Sequence, residues 1–253
     1  MLTSLKNKIV LITGASSGIG EACARHFAQQ GAKLILTARR VERLEKIASE
    51  LTTEVLSLQL DVQDKNAVSD AINNLSPEWR NIDILVNNAG LALDSLPIQS
   101  GHIEHWETMI QTNVNGLLYV TRAIVPGMVE RKTGHVINIG SVAGQDAYAN
   151  GNVYCATKAA VRAITKSMRI DLLGKNIRVS EIAPAATNTE FCTVRWKDKQ
   201  RADDFYKDFD PLVADDIADA IIYCVTRPPH VNIAELVIYP TEQATVSLFH
   251  REG

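Results

Sequence analysis

The 253-residue sequence predicts a single-domain α/β protein built on one doubly wound, parallel sheet of seven strands. Short runs rich in β-branched and aliphatic residues alternate with longer segments of helical period, which is the pattern of repeated βα units. The short runs are continuously apolar, and this indicates a sheet that helices cover on both faces. Residues 1–253 show no domain boundary.

The predicted elements follow one another in strict alternation. In the first half, the strands KIVLIT, KLILT, VLSLQL and IDILVN are followed by helices over Ile19–Gln30, Val41–Leu51, Asn66–Leu75 and Glu104–Lys132. The second half continues with HVINIG, a helix near Val153–Leu173, IRVSEIA, a helix near Asp215–Thr226, and ELVIY.

One segment, Pro184 to Pro211, has no clear period and carries mixed charges. It follows the carboxyl end of a strand, where open α/β sheets bind ligands. We therefore expect residues near 185–211, called the lid segment below, to cover a substrate. A solvated loop without function is the alternative.

Composition excludes several classes of protein. Twenty-six basic and 29 acidic residues give a net charge of −3, and no Lys/Arg run exceeds two, which argues against nucleic-acid or anionic-membrane partners. No stretch approaches 18 uninterrupted apolar residues and no apolar leader is visible, so a cytoplasmic location is expected. The cysteines are widely dispersed and are interpreted as buried small hydrophobes, with no metal site predicted: Cys23, Cys155, Cys192 and Cys224.

A glycine-rich turn follows the first strand, in TGASSGIG. Gly14, Gly18 and Gly20 would let the backbone approach a pyrophosphate, which the N-terminus of the next helix attracts. The turn therefore predicts a Rossmann-type dinucleotide site.

The end of the second strand indicates which dinucleotide binds. Ala38 stands where an acidic residue would bind a ribose 2′-hydroxyl, and Arg39 and Arg40 follow it. Guanidinium groups suit a phosphate, so the sequence favours NADP(H) over NAD(H). Ordinary surface charges are the alternative for both arginines.

The chemistry is predicted from Tyr154 and Lys158, which are four residues apart and share a helix face. A nearby cation favours a phenolate, so we expect the pKa of Tyr154 to be lowered and its phenol to act as an acid or base. Ser141 ends the strand-like run GHVINIGS and could meet the phenol at the sheet edge. In isolation the Tyr/Lys spacing more often marks an amphipathic helix face.

Together these features resemble the short-chain dehydrogenase/reductase family: TGASSGIG, NNAG at Asn87–Gly90, Asn113, Ser141, and Tyr154 with Lys158. The resemblance implies that Tyr154 is the acid/base, that Ser141 holds the substrate oxygen and that Lys158 binds the nicotinamide ribose. It implies that Asn113 supports a water and that Asp61 contacts adenine. Further cofactor contacts are implied at Ser16, Ser17, Ile19, Val62, Asn88, Ala89, Gly90, Pro184, Thr187 and Thr189. From the residues alone, Asn113 could bond locally, and Asn87 and Asn88 could simply form turns.

Longer stretches, among them WETMIQTNVNGLLYVTRAIVPGMVERKTGHVINIGS and TEFCTVRW, resemble the NADP-dependent 3-hydroxy acid dehydrogenases. This resemblance implies oxidation of the β-hydroxyl of short 3-hydroxy acids such as L-serine, L-allo-threonine or 3-hydroxypropionate, or the reverse reduction. Arg195 is the candidate partner of the substrate carboxylate, with a solvated lid charge as the alternative. A carbonyl or 3-oxoacyl thioester reductase, and a non-catalytic NADP-binding regulator, are the competing functions.

Two further expectations depend on the family. Its members are commonly homotetramers that pair their long fourth and fifth helices, and the apolar residues Leu117, Val120 and Ile124 suit either such pairing or the core. The family usually has Pro-Gly after the sixth strand, whereas Ala185 follows Pro184 here. If that backbone required a positive φ, the alanine would be strained.

Overall fold

A computed structural model describes residues 2–251 and contains the predicted seven-stranded parallel sheet. The strands lie in the order β3-β2-β1-β4-β5-β6-β9, so the strand order reverses between β1 and β4. They are β1 Ile9–Thr13, β2 Lys33–Ala38, β3 Val55–Gln59, β4 Ile84–Asn87, β5 Gly134–Ile139, β6 Ile177–Pro184 and β9 Glu235–Ile238. β7 Thr187–Asn188 and β8 Leu212–Val213 form a separate two-stranded ribbon.

Helices cover both faces of the sheet, as the apolar strands predict. α1 Gly18–Gln29, α2 Val41–Glu50 and α9 Ala214–Val225 pack in one apolar core, and α3 Lys65–Asn73, α5 Leu117–Arg131 and α6 Asn152–Asp171 pack in the other. The side chain of Asp64 caps α3 by accepting bonds from the main-chain N–H groups of Asn66 and Ala67. Leu117, Val120 and Ile124 are buried in the second core, which supports the core interpretation of that face.

The fourth predicted helix is interrupted. α4 Ile103–Ile110 and α5 are joined by a π-helical turn, Gln111–Gly116, that carries Asn113. A π-turn inserts a residue into the helical ladder and often lies at a functional site.

The lid segment has more regular structure than its irregular sequence predicts. It contains two short helices, α7 Phe191–Trp196 and α8 Lys199–Phe205, in addition to the β7–β8 ribbon. A helix of six or seven residues shows too few turns for its period to be recognised. The aromatic rings of three lid residues pack together with that of Phe249: Phe205, Tyr206 and Phe209.

The four cysteines are free and buried, as predicted. Within residues 2–251, no helix is long and apolar enough to cross a membrane.

Candidate active site

The glycine-rich turn lies at the carboxyl end of β1, at the strand-order reversal. Gly14 and Gly18 have φ values of 66° and 55°, which favour glycine. A Cβ added to Gly20 would lie 2.4 Å from the main-chain oxygen of Gly14. The side chain of the N-cap residue Ser17 makes no capping bond, so it does not satisfy the first N–H groups of α1. This cradle fits the pyrophosphate of a dinucleotide.

Asn88 holds this turn from the neighbouring strand. Its Nδ2 donates to the main-chain oxygens of Thr13 (2.9 Å) and Gly14 (3.2 Å), and the N–H groups of Asn88 and Ala89 both donate to Thr13 Oγ1. The Asn88 side chain therefore positions the glycine turn.

The two arginines after β2 have different surroundings. Arg40 Nη2 donates to the Ser16 and Ser17 hydroxyls, at 3.2 and 3.0 Å, and to Glu190 of the lid segment at 3.3 Å. Arg39 is exposed, and its side chain has no hydrogen bond to any residue between 2 and 251. Serine hydroxyls and guanidinium groups thus surround a region where a phosphate could bind.

Asp61 and Val62 follow β3 on the same sheet edge. Asp61 Oδ1 accepts a bond from the Gln63 N–H at 3.0 Å. Val62 is buried against Gly116, where an added Cβ would lie 2.7 Å from Val62 Cγ2. Ile19, at the start of α1, packs against the first apolar core.

Ser141, Tyr154 and Lys158 come together beyond β5. The Ser141 hydroxyl accepts a bond from the Ala143 N–H at 3.1 Å, and Lys158 Nζ donates to the Ile139 oxygen at 2.8 Å. Lys158 Nζ lies 5.9 Å from the Tyr154 ring centroid. Tyr154 and Lys158 are 8% and 7% exposed, so the cation and the phenol face each other within a buried site.

The pKa of Tyr154 is raised, which differs from the lowered pKa expected from Lys158. Burial is the main cause and the neighbouring Tyr148 adds to it, whereas the Ser141 hydroxyl and the positive charge of Arg195 act in the opposite direction. Burial also lowers the pKa of Lys158 to about 8, against the attraction of Glu181. The sequence could not show that burial raises the pKa of Tyr154 by more than nearby positive charge lowers it.

Asn113 is buried in the π-turn and its side chain bonds within the protein. Nδ2 donates to the Leu91 oxygen (2.8 Å) and to Thr157 Oγ1 (3.0 Å), while Oδ1 accepts from the Leu91 N–H (2.9 Å). A Cβ added to Gly90 would lie 3.4 Å from that Oδ1 and 3.7 Å from Lys158 Nζ. Asn113 therefore ties the NNAG loop to the helix that carries Tyr154 and Lys158.

Arg195 is 8% exposed, so the solvated-charge interpretation is wrong. Its Nε donates to the Asp94 oxygen at 2.9 Å and its Nη1 to Tyr148 Oη at 2.8 Å. Among the described residues, Nη2 has no hydrogen-bond partner. Arg195, Tyr154 and Trp106 line the same pocket.

Ala185, in the loop after β6, is not strained, because it is not one of the residues with a positive φ between positions 2 and 251. Its N–H donates to the Ile238 oxygen at 2.8 Å, and Thr187 Oγ1 donates to the Ala185 oxygen. Thr189 lies over the glycine turn, because a Cβ added to Gly18 would be 3.3 Å from Thr189 Cβ. Phe191 packs 5.5 Å from the Tyr154 ring, so the lid segment contacts both the predicted cofactor turn and the predicted acid/base.

Four residues of this region were not predicted from the sequence: Asp94, Tyr148, Glu181 and Glu190. Tyr148 and Asp94 hold Arg195, and Glu190 binds Arg40 and Arg43. Glu181 faces Lys158 from β6. Glu190 directly precedes FCTVRW, but nothing in the sequence pairs it with Arg40 or Arg43.

The family profile for short chain dehydrogenases matches residues 8–200. The chain belongs to the short chain dehydrogenase family. The motifs that suggested this family all lie within the matched residues. The predicted fold and the predicted family are both confirmed.

Several individual proteins are similar to this chain over nearly their whole length. The NADP-dependent 3-hydroxy acid dehydrogenase YdfG of Escherichia coli is 48% identical over 247 residues, which are 96% of this chain and 100% of that protein. Sulfoacetaldehyde reductase 2 of Chromohalobacter salexigens is 47% identical over 240 residues, 93% of this chain and 95% of that one. The closed form of serine dehydrogenase complexed with NADP+ superposes with a TM-score of 0.93, at 48% identity, over 96% of this chain and 100% of that one.

Proposed function

We propose that the protein is an NADP-dependent dehydrogenase of short 3-hydroxy acids, which oxidises the β-hydroxyl or reduces the corresponding 3-oxo acid. The observation that carries this proposal is the buried Arg195, which lines one pocket with Tyr154. Two hydrogen bonds fix the orientation of the guanidinium and leave Nη2 available, and a guanidinium suits a carboxylate. The similarity to NADP-dependent 3-hydroxy acid dehydrogenases and to serine dehydrogenase supports the same substrate class.

The residues of the chain divide the work between binding and proton transfer. Ser141 and Tyr154 hold the reacting oxygen, and Arg195 Nη2 binds the carboxylate. The raised pKa of Tyr154 keeps its phenol protonated at neutral pH, which suits an acid that donates to the oxygen during reduction. In the oxidising direction the Tyr154 oxygen must instead accept the hydroxyl proton. Phe191 packs on Tyr154 and helps to exclude water.

NADP+ supplies the hydride acceptor when it is bound. The turn with Gly14, Gly18 and Gly20 would hold its pyrophosphate, and Arg39 and Arg40 with Ser16 and Ser17 would hold its 2′-phosphate. Asp61 would contact the adenine, and Lys158 the nicotinamide ribose. Thr187 and Thr189 in the lid segment would cover the cofactor. Asn113 would position Lys158 and the loop at Gly90.

The deciding experiment follows nicotinamide absorbance with NADP+ or NAD+ and a set of alcohols. The set contains L-serine, L-allo-threonine, 3-hydroxypropionate and an uncharged secondary alcohol of similar size. We expect reduction of NADP+ with the carboxylate-bearing alcohols. Turnover of the uncharged alcohol alone would favour a carbonyl reductase, and NADPH binding without turnover of any substrate would favour a regulator.

A second candidate substrate is an aldehyde that carries a sulfonate. It is favoured by the similarity to sulfoacetaldehyde reductase 2, and the same Arg195 guanidinium can bind a sulfonate. Reduction of sulfoacetaldehyde by NADPH, compared with reduction of a 3-oxo acid, separates the two candidates by their kcat/KM values.

We further propose a cytoplasmic homotetramer that pairs α5 and α6. Leu117, Val120 and Ile124, which were candidates for this subunit contact, are buried in the core. The contact between subunits would therefore use the opposite side of α5. There, Leu118 and Val125 line a groove with Ile164 of α6, and Leu118 is 39% exposed. Light scattering after size-exclusion chromatography tests this assembly, and a monomer would contradict it.

A further inference from the structure

A cluster of metal-ligating side chains lies at the rim of the pocket, and the proposed reaction does not use it. Asp94 is in the loop after β4, and His102 and His105 lie at the start of α4, with His102 as the N-cap residue. His102 Nδ1 is 2.7 Å from Asp94 Oδ2, and His105 Nδ1 contacts the same oxygen. The ligand atoms of all three residues lie within 4.8 Å of one another.

The donor set matches a transition-metal site. Two imidazole nitrogens and one carboxylate oxygen are typical ligands of Zn²⁺, which binds each at about 2.0–2.2 Å. A tetrahedral ion holds such ligands roughly 3.4 Å apart. The distance between His102 Nδ1 and Asp94 Oδ2, which is 2.7 Å, would therefore have to increase by roughly 0.7 Å. The His102 side chain is 58% exposed, which gives it room to move and gives an ion access from solvent.

The local charges also permit a cation. The guanidinium of Arg195 bonds the main-chain oxygen of Asp94 and forms no ion pair with its carboxylate, whose ion-pair partners are His102 and His105. The two His rings are edge to face, with centroids 5.1 Å apart. Without an ion, His102 Nδ1 and His105 Nδ1 both contact the same carboxylate oxygen of Asp94 through hydrogen bonds. A bound ion would take the place of the protons in these hydrogen bonds and would not break a contact with any other residue.

Asp94 connects this cluster to Arg195. It is one of the described non-glycine residues with positive φ, at 60°, and such strained positions concentrate at functional sites. Its N–H donates to the Arg195 oxygen at 3.0 Å, and Arg195 Nε donates back to the Asp94 oxygen at 2.9 Å. An ion bound by the Asp94 carboxylate would therefore restrain the backbone that holds Arg195.

We propose that Asp94 Oδ2, His102 Nδ1 and His105 Nδ1 form a binding site for a divalent transition-metal ion, best matched by Zn²⁺, at the rim of the substrate pocket. With three protein ligands, the ion keeps a fourth position for water. The site has too few oxygen ligands to favour Mg²⁺ or Ca²⁺.

The test is calorimetric titration of the chelator-treated full chain with Zn²⁺ and, separately, with Mg²⁺. We expect one Zn²⁺ site per chain and no comparable Mg²⁺ binding. His102→Ala and the double variant with His105→Ala should lose at least about tenfold in Zn²⁺ affinity. His102→Ala is the safest variant, because its side chain is largely exposed.

His26→Ala is the matched control. His26 Nε2 pairs with Asp215 at 3.0 Å, so it is also a histidine bonded to a carboxylate, but without a second imidazole. It should leave Zn²⁺ affinity unchanged. The visible absorption of bound Co²⁺ gives a second readout, which should report tetrahedral coordination in the wild type and disappear in His102→Ala. Zn²⁺ binding that is equal in the wild type and the double variant, or absent in both, would overturn the site.

The link to Arg195 is tested separately and depends on the proposed function. Saturating Zn²⁺ should change the KM for a carboxylate substrate in the wild type and not in His102→Ala. An unchanged KM with full Zn²⁺ occupancy would show that the site does not act on Arg195. Because binding is measured without turnover, failure of the proposed substrate class would not be mistaken for failure of the metal site.

Discussion

The guanidinium carbon of Arg195 lies 5.8 Å from the ring centroid of Tyr154. This contact joins the lid segment to the helix that carries Tyr154 and Lys158, and it places a cation beside the Tyr154 phenol. The same guanidinium lies 5.5 Å from the ring of Tyr148, to which it also donates a hydrogen bond. Arg195 is thus oriented by the protein with one donor group left for a ligand.

Arg195→Ala should therefore reduce catalysis of anionic substrates selectively. A hydrogen bond to a charged group is worth about 1.5–3 kcal/mol, so kcat/KM for a 3-hydroxy acid should fall by roughly 10- to 100-fold. An uncharged alcohol should lose much less. The measurement is steady-state kinetics on both substrates.

Tyr148→Phe is the control for this variant, because it removes one bond to Arg195 and keeps the charge. It should have a small effect on both substrates. Equal losses for charged and uncharged substrates in Arg195→Ala would assign Arg195 to scaffolding of the pocket.

Tyr154→Phe should abolish most of the turnover without preventing cofactor binding. Removing a general acid/base costs about 10²- to 10⁴-fold in rate, whereas the glycine turn and the arginines are unchanged. Stopped-flow turnover together with NADPH fluorescence titration measures both effects. In the wild type, the rate of oxidation should rise with pH above neutrality, because the raised pKa leaves little Tyr154 phenolate at pH 7. A pH-independent oxidation rate would contradict Tyr154 as the base.

Glu190→Gln should strengthen NADPH binding. Glu190 accepts bonds from Arg40 at 3.3 Å and from Arg43 at 2.8 Å, so it competes with a 2′-phosphate for Arg40. These side chains are nearly half exposed, and such pairs are worth about 0.2–1 kcal/mol. The NADPH Kd should therefore fall by up to about fivefold, and the NADH Kd should stay the same.

Glu50→Gln is the matched control, since Glu50 pairs with Arg25 at 2.7 Å away from the cofactor turn. It should change neither Kd. A weaker NADPH affinity in Glu190→Gln would show that Glu190 orients Arg40 for the phosphate.

The parts of the molecule that could be predicted from sequence are those governed by local pattern. Continuous apolar runs predicted the buried strands, and glycine spacing predicted the turn where Gly14 and Gly18 adopt positive φ. The π-turn around Asn113 could not be predicted, because one inserted residue barely alters the apolar period of a long helix.

Other features depend on contacts between distant segments. Arg195 is held by Tyr148 and Asp94, which lie 47 and 101 positions away. The raised pKa of Tyr154 depends on its burial in the folded protein, whereas the sequence showed only the neighbouring Lys158. Asp94 lies 8 and 11 positions before His102 and His105, and the contact of both histidines with its carboxylate became apparent only in the fold.

Glu181→Gln should stabilise the protein most at alkaline pH. Glu181 is 1% exposed in β6, and its Oε1 has no hydrogen-bond partner among the described residues. Burial first, and then the charge of Glu235, raise its pKa to about 7, although Arg162, Lys158 and Lys166 oppose this. The folded state therefore holds a proton that the unfolded state has released, so this carboxyl group lowers stability as pH rises from about 4.5 to about 7. Above that range its full cost is on the order of a few kcal/mol.

The difference in Tm between Glu181→Gln and the wild type should consequently be small at pH 5 and grow by several degrees at pH 8. Comparing the two proteins at each pH cancels the contribution of other groups, such as the buried His135, whose pKa burial lowers. Glu54→Gln serves as the control, because Glu54 forms an exposed pair with Lys33. A Tm difference that is the same at both pH values would mean that Glu181 is already ionised in the folded protein at pH 5, and that the positive charges of Lys158 and Arg162 outweigh its burial.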